Sequence, residues 1–309
     1  MRSWFRRHAT RAYEQLLKRE LDGTPTHVAV IQDGNRRYAR KQGGDAADGH
    51  RAGAETTESV LEWCDELGIE ELTLYTFSTE NFDRPADQRA VLFDLIEDKL
   101  YDFADTDRVH ESEVRIRAIG ETARLPQRVR DAIEYAEGRT EGYERFHLNI
   151  ALAYGGRAEL LGAAREIASE VERGDLDSDA IDVETVENRL YEGPTRDVDL
   201  IIRTGGDERT SNFLPWHANG NEAAAYFCAP YWPEFRKIDF LRAIRTYQHR
   251  EESWRRKRAR RALALVRAVS GQELSDARRI LDRFRGSLSA RELENVELPA
   301  ETDHEPGGD

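Results

Sequence analysis

The stretch His27-Val-Ala-Val-Ile-Gln-Asp-Gly-Asn-Arg-Arg-Tyr38 decides how the rest of the chain is read. Val28 to Ile31 is a short, branched, apolar run suited to a buried strand. Asp33, Gly34 and Asn35 are turn formers and end it abruptly. Arg36 and Arg37 open a polar segment that fits a loop or a first helical turn. A carboxylate at the carboxyl end of a strand, beside a permissive glycine and two guanidinium groups, suits a metal-bound diphosphate. Loop amides and arginines would meet phosphate oxygens, and Asp33 would hold a hard cation such as Mg²⁺. The plainer alternative is a surface strand-to-helix turn in which Asp33 only caps the helix.

Outward from this stretch, strands and helices alternate. Strands are expected over Val28–Ile31, Glu71–Phe77, Val114–Ile119, Phe146–Ala153, Val198–Ile202 and Ala224–Cys228. Helices are expected over Thr56–Leu67, Gln88–Phe103, Gln127–Glu137 and Arg157–Arg173, with a short one near Val183–Tyr191 and a long polar one from Asp239 to Ser270. This rhythm predicts an α/β fold: a single domain with a mainly parallel central sheet flanked by helices. Ligands in such folds gather at the carboxyl ends of the strands.

The 309 residues are 39% hydrophobic, enough for a sizeable core, yet 34% are charged and the formal net charge is −14. Only five of the 46 basic residues are lysine. Acid-rich, lysine-poor composition fits a protein soluble at high salt, although a biased genome also depletes lysine. The acidity argues against nucleic acid as a partner, because no broad positive field exists to release counterions. Cys64 and Cys228 sit among apolar neighbours, read as buried thiols, and point to a reducing cytoplasm. No stretch is long and apolar enough to span a bilayer, and the start lacks a signal-peptide core.

Residues 1–24 read as a basic amphipathic helix, which would lie on an anionic membrane surface or dock on its own domain. Residues 25–250 form the expected α/β domain, 251–286 a helical extension and 287–309 an acidic, disordered tail. The run from Arg255 to Arg261 reads as a solvated helical face.

Two more strand-end loops share the chemistry of the first. Phe77-Ser-Thr-Glu-Asn-Phe-Asp-Arg-Pro85 offers Ser78, Asn81 and Arg84 as donors to a polyanion and Phe82 as an apolar wall. Arg203-Thr-Gly-Gly-Asp-Glu-Arg-Thr-Ser-Asn-Phe213 pairs glycines that let backbone approach a ligand with Arg203, Arg209 and Ser211 as phosphate-type ligands. Glu222 is a second acidic candidate downstream.

The segments Asp33-Gly-Asn-Arg-Arg-Tyr38, Gly49-His-Arg-Ala-Gly53, Phe77-Ser-Thr-Glu-Asn-Phe82, Ile202-Arg-Thr-Gly-Gly206, Ser211-Asn-Phe213 and Trp232-Pro-Glu-Phe235 resemble the signatures of the cis-prenyltransferases. This is the undecaprenyl and dehydrodolichyl diphosphate synthase family. The likeness covers roughly residues 25–250 and favours the archaeal and eukaryotic branch. With the acidic composition, it suggests a haloarchaeal member.

The resemblance implies a Mg²⁺-dependent transferase that adds isopentenyl diphosphate to an allylic diphosphate (farnesyl or geranylgeranyl) with new Z double bonds. The product would be a long polyprenyl diphosphate for a glycosyl carrier lipid. It implies Asp33 as essential carboxylate and, with Glu222, metal ligand. Gly34, Asn35, Arg36 and Arg37 would wrap the allylic diphosphate, aided by His50 and Arg84. Tyr38, Ser78, Thr79, Glu80 and Phe82 would line the substrate, and Asn81 would serve proton removal, more credibly by positioning an acceptor than as a base. Arg203, Arg209, Thr210 and Ser211 would bind isopentenyl diphosphate. Leu92, Phe93, Leu95, Ile96 and Phe103 are candidates for the wall of the product tunnel, although ordinary core packing explains them equally well.

It further implies a homodimer in the cytoplasm, with peripheral contact on the inner face of the membrane as an option. Three departures stand out: Gln32 for a usual methionine, Ala153 for a bacterial asparagine, and Ala46 for a frequent phosphate-gripping arginine, whose loss would weaken allylic binding unless Arg40 or Arg51 compensates. Two rival readings are a short-chain synthase and a non-catalytic partner subunit.

Overall fold

A computed structural model describes residues 14–190, 196–218 and 223–268. Its strands are β1 (His27–Ile31), β2 (Glu71–Ser78), β3 (Val114–Ile119), β4 (Phe146–Tyr154), β5 (Leu200–Arg203) and β6 (Ala224–Phe227). Its helices are α1 (Asn35–Gln42), α2 (Ala46–Leu67), α3 (Ala86–Asp105), α4 (Asp107–Glu111), α5 (Gln127–Thr140), α6 (Gly156–Arg173), α7 (Val183–Glu187) and α8 (Lys237–Ala268). The strands form one sheet in the order β3-β4-β2-β1-β5-β6, and every pairing is parallel.

Sequence and burial agree strand by strand. All five residues of β1 are buried. Val28 and Val30 enter one apolar cluster, Ala29 and Ile31 a second on the opposite face. A parallel strand covered on both faces must be continuously apolar, which is why β1 does not alternate. β1 pairs with β2 on one side and β5 on the other. The chain moves from β1 to β2 toward one edge and from β5 to β6 toward the other, so the crevice at the carboxyl ends of β1 and β5 is a switch point where ligands bind.

Helix α2 starts ten residues before the expected Thr56. Asp45 accepts from the Asp48 amide at 2.9 Å and Asp48 accepts from the Asp45 amide at 3.0 Å, a reciprocal cap that sequence reading overlooked. Gly49 and Gly53, poor helix formers, lie inside the helix because α1 and Trp232 press against it. A Cβ on Gly49 would sit 2.2 Å from the Asn35 carbonyl oxygen.

Residues 14–19 are helical, and Leu17 is buried with Ile238 and Leu241. That part of the basic segment docks on its own domain; residues 1–13 lie outside the described residues. The first compact unit closes at Tyr247 and a second begins at Gln248. The expected boundary at 250/251 falls inside α8. Ser270 and the expected acidic tail lie outside the described residues. No helix among the described residues is long and apolar enough to cross a membrane.

Candidate active site

Asp33 follows β1 and is fixed first through its backbone. Its carbonyl accepts from the Thr204 hydroxyl at 2.7 Å and from the Trp232 amide at 3.0 Å. Gly34 then turns with φ +104°, and a Cβ there would lie 2.6 Å from Cδ1 of Tyr231, so only glycine fits. The Asp33 carboxylate receives Arg37 Nη2 on Oδ1 at 3.0 Å and Arg203 Nη2 on Oδ2 at 2.7 Å. Partial burial opposes its ionisation, but the hydrogen bond from Arg203 and the charges of Arg37 and Arg203 outweigh it. The carboxyl is held below its ordinary value.

Arg203 ends β5 and is only 3% exposed. Besides Asp33 it donates to Asp207 Oδ2 at 3.1 Å, to the Arg209 carbonyl at 2.7 Å and to Ser211 Oγ at 2.5 Å. Arg203 is thus the organiser that ties the loop after β5 to Asp33. Sequence reading missed Asp207, which also pairs with Arg209 at 3.1 Å and so spans two guanidinium groups. Its signal was an acid four residues beyond one arginine and two before another. Arg203 Nε and Asn35 Oδ1 are buried without a hydrogen-bond partner, and such buried polar atoms mark a place where a ligand or water completes the site.

The loop after β2 enters from the other side. A register shift at Phe77 and Ser78 re-aims the end of the strand. Asn81 Oδ1 accepts from the Ser78 amide at 3.2 Å, so its carbonyl oxygen is spent on shaping its own loop. His50, on α2, is driven to a pKa of about 4 by burial and by the neighbouring charges of Arg84 and Arg36. It is neutral at physiological pH.

These side chains converge on one cavity of about 330 Å³. Asp33, Asn35, His50, Ser78, Glu80, Asn81, Arg84, Arg203, Arg209 and Ser211 line its polar part. Leu74, Leu92, Leu95, Ile96, Leu100, Phe103 and Ile150 line an apolar part between the sheet and α3. An adjoining polar recess of about 290 Å³ gathers Gly34, Arg36, Arg37, Arg40 and Arg84 around Asp33 and His50.

Arg40 lines this recess, whereas Arg51 is paired with Asp48 at 2.6 Å. Of the two candidates to replace the arginine missing at Ala46, only Arg40 stands among the recess residues. Gln32, where methionine is usual, donates to Thr57 Oγ1 at 2.8 Å.

Some expected residues do not line the cavity. Tyr38 lies on α1 outside it. The Thr79 hydroxyl faces Gly155, and Thr210 is exposed. Phe82 stacks edge-on against Phe77 at 5.1 Å and beneath Arg124 at 4.3 Å. Phe93 belongs to the core, against Phe77 at 5.2 Å. Glu222 lies outside the described residues.

A family model for undecaprenyl diphosphate synthase matches residues 31–255. The chain belongs to this family, the cis-prenyltransferases. Among its relatives is a tritrans,polycis-undecaprenyl-diphosphate synthase (geranylgeranyl-diphosphate specific) of Haloarcula marismortui, 69% identical over 93% of this chain and 94% of the relative. A protein of the same name from Halobacterium salinarum is 69% identical over 91% and 92%, and one from Methanocaldococcus jannaschii 49% identical over 77% and 86%. Such neighbours place this cis-prenyltransferase among the haloarchaeal members.

Among solved structures, the lavandulyl diphosphate synthase of Lavandula x intermedia, in complex with dimethylallyl diphosphate, aligns with a TM-score of 0.69 and 36% identity. The alignment covers 72% of this chain and 95% of the plant enzyme. The sheet and its helices are therefore the cis-prenyltransferase fold.

Proposed function

We propose that this chain extends geranylgeranyl diphosphate with successive isopentenyl diphosphate units to a long-chain Z-polyprenyl diphosphate, the precursor of a glycosyl carrier lipid. The observation that carries the proposal is the continuity of the cavity: a mouth of arginines around Asp33 opens onto an apolar wall built by α3 and the sheet. A diphosphate head and a growing hydrocarbon tail require those two surfaces side by side. The relatives' names supply the choice of geranylgeranyl diphosphate over farnesyl diphosphate.

In this reading Arg36, Arg40 and Arg84 receive the allylic diphosphate, and its C–O bond breaks as they absorb the charge of the departing pyrophosphate. Arg209 and Ser211 hold isopentenyl diphosphate, whose double bond attacks the freed allylic carbon. Loss of a proton completes the new Z double bond, with Asn81 positioning the acceptor. Arg203 aligns Asp33 with Ser211 instead of serving as a free phosphate ligand. No group of three or more acids, histidines or cysteines among the described residues forms a metal cage. A lone carboxylate such as Asp33, completed by substrate phosphates, nevertheless fits the way Mg²⁺ is usually bound. When bound there, Mg²⁺ supplies charge neutralisation of the leaving group. Peripheral membrane contact and a homodimer belong to the same proposal; the first follows from the insolubility of the product.

Purified protein incubated with labelled isopentenyl diphosphate, Mg²⁺ and primers of several lengths should build a long ladder, fastest from geranylgeranyl diphosphate. Asp33→Asn should lower turnover by about a thousandfold with unchanged circular dichroism. A single short product would establish the short-chain reading. No incorporation by folded protein at any salt would establish the partner-subunit reading.

A further inference from the structure

The loop after β5 carries an unusual backbone. Ser211, Asn212 and Leu214 have φ values of +49°, +61° and +49°, although none is glycine. Non-glycine residues in this region cost energy, and clusters of them persist only where the surroundings hold them. Asn212 is the residue through which this loop is held. Its backbone carbonyl accepts from the Gly156 amide at 2.9 Å, and its side-chain Oδ1 accepts from the Arg157 amide at 2.9 Å.

Those two amides open α6, whose own N-cap, Gly155, offers no side chain to satisfy them. A cap that helices ordinarily take from the adjacent residue is here delivered from 55 residues away. The fit leaves no slack: a Cβ on Gly156 would lie 2.1 Å from Pro215 Cδ, and one on Gly155 would lie 2.6 Å from Thr79 Oγ1. The start of α6 is therefore wedged between the loop after β2 and the loop after β5, the two that present Asn81 and Ser211 to the cavity. The far end of the clasp is secured by Tyr154, whose hydroxyl accepts from the Leu214 amide at 3.2 Å and donates to Glu159 at 2.9 Å.

We propose that Asn212 is a positioning residue, which caps α6 across the fold and thereby fixes Ser211 and Arg209 in the geometry that receives isopentenyl diphosphate. Asn212 does not line the cavity. The proposal rests on assigning the homoallylic diphosphate to Arg209 and Ser211. It predicts an effect on that substrate alone: the allylic recess is lined from the turn after β1, α1 and α2, with Arg84 from the loop after β2, whereas the two hydrogen bonds that Asn212 accepts come from the start of α6.

Two substitutions separate the cap from the backbone. Asn212→Gly keeps the left-handed conformation accessible and removes the Oδ1 acceptor, whereas Asn212→Asp keeps an acceptor at the helix start. Calorimetric titration with isopentenyl diphosphate alone should show roughly three- to tenfold weaker binding for Asn212→Gly and near-native binding for Asn212→Asp. In the condensation assay the KM for isopentenyl diphosphate should rise by the same factor, with the KM for the allylic primer unchanged.

Arg157→Pro deletes the donor and leaves Asn212 intact, at a position in the first helical turn where proline is tolerated. It should reproduce the Asn212→Gly signature and stands in should that variant not fold. Native affinity in Asn212→Gly, equal damage in Asn212→Asp, or both KM values rising together would overturn the clasp while leaving the synthase reading intact. Wild-type protein that condenses nothing yet shows the predicted binding differences would sink the synthase reading and leave the clasp standing. Wild-type protein that binds no isopentenyl diphosphate would overturn both.

Discussion

At Asp33 and His50 one arginine-rich mouth acts on two side chains of opposite response. Against the effect of its partial burial, Arg203 and Arg37 draw the proton off the Asp33 carboxyl, whereas burial, helped by Arg84 and Arg36, denies one to the His50 imidazole. The histidine has a measurable thermodynamic consequence. With a folded pKa of about 4 against 6.5 in the unfolded chain, only the unfolded state takes up this proton as pH falls through that window. Stability must therefore drop on acidification. Between about pH 7 and pH 5 the loss from His50 is about 2 kcal/mol, and replacing it with Gln should remove that part of the slope. Asp33 contributes with the same sign but only below its ordinary value of 3.8, so the two windows do not overlap.

Denaturant titrations of wild type and His50→Gln at about pH 7 and pH 5, at constant salt, measure the difference; parallel slopes would refute it. Asp33, Arg203 and Ser211 were legible as residues of this cavity because three strand-end loops each pair charge with small polar groups, and such loops gather at one edge of a parallel sheet. Asp207 was not, since its spacing from Arg203 and Arg209 is commonplace in an acidic chain and gains meaning only when the loop closes around Arg203. Phe82 and Phe93 were ambiguous for a related reason: residue type predicts an apolar environment, but not whether that environment is the core or the cavity wall.

At the scale of elements, the strands were legible almost residue by residue: β1 is an unbroken apolar run because both its faces are covered, whereas β2 and β3 alternate apolar with polar residues. Helix starts were less so. The first two turns of α2 hold glycines that local propensity counts against a helix, and their reason is tertiary. Gly49 lies against the backbone of Asn35, and Gly53 lets Trp232 Nε1 reach its carbonyl at 2.7 Å. This contact locks α1, the carrier of Arg36 and Arg37, onto α2, the carrier of His50. Gly49→Ala sets two effects against each other. Alanine favours the helix by up to about 1 kcal/mol, but its methyl would drive α1 away. A Cβ at 2.2 Å from a carbonyl oxygen cannot be relieved by a rotamer change, so the clash wins. The expected net loss is about 1–3 kcal/mol, read as a lower Tm, together with a raised KM for the allylic substrate as α1 shifts. An unchanged or higher Tm would show that α1 yields without cost.

Over the whole molecule, a net charge of −14 coexists with a mouth rich in arginine. Many surface arginines are already matched, as Arg115 is with Glu144, Arg145 with Asp65 and Arg173 with Asp175. The excess charge is carboxylate, and at low ionic strength its mutual repulsion disfavours the compact state. Added salt acts on both terms. It weakens exposed ion pairs, but each is worth at most about 1 kcal/mol. It also shortens the screening length to about 3 Å at 1 M, which removes repulsion summed over the entire surface. The second effect is the larger for a chain with this excess of acid, and it agrees with the haloarchaeal relatives. Raising KCl from about 0.2 M to about 2 M should therefore lift Tm by about 10 °C, corresponding to a few kcal/mol for a chain of this size. Charge screening has nearly saturated by 1 M, whereas exclusion of salt from the surface keeps strengthening with concentration and is greater for sulfate. A Tm that climbs steeply below 1 M and then levels in KCl identifies screening. One that is flat below 1 M, or falls with KCl, would show that the ion pairs outweigh the acid excess.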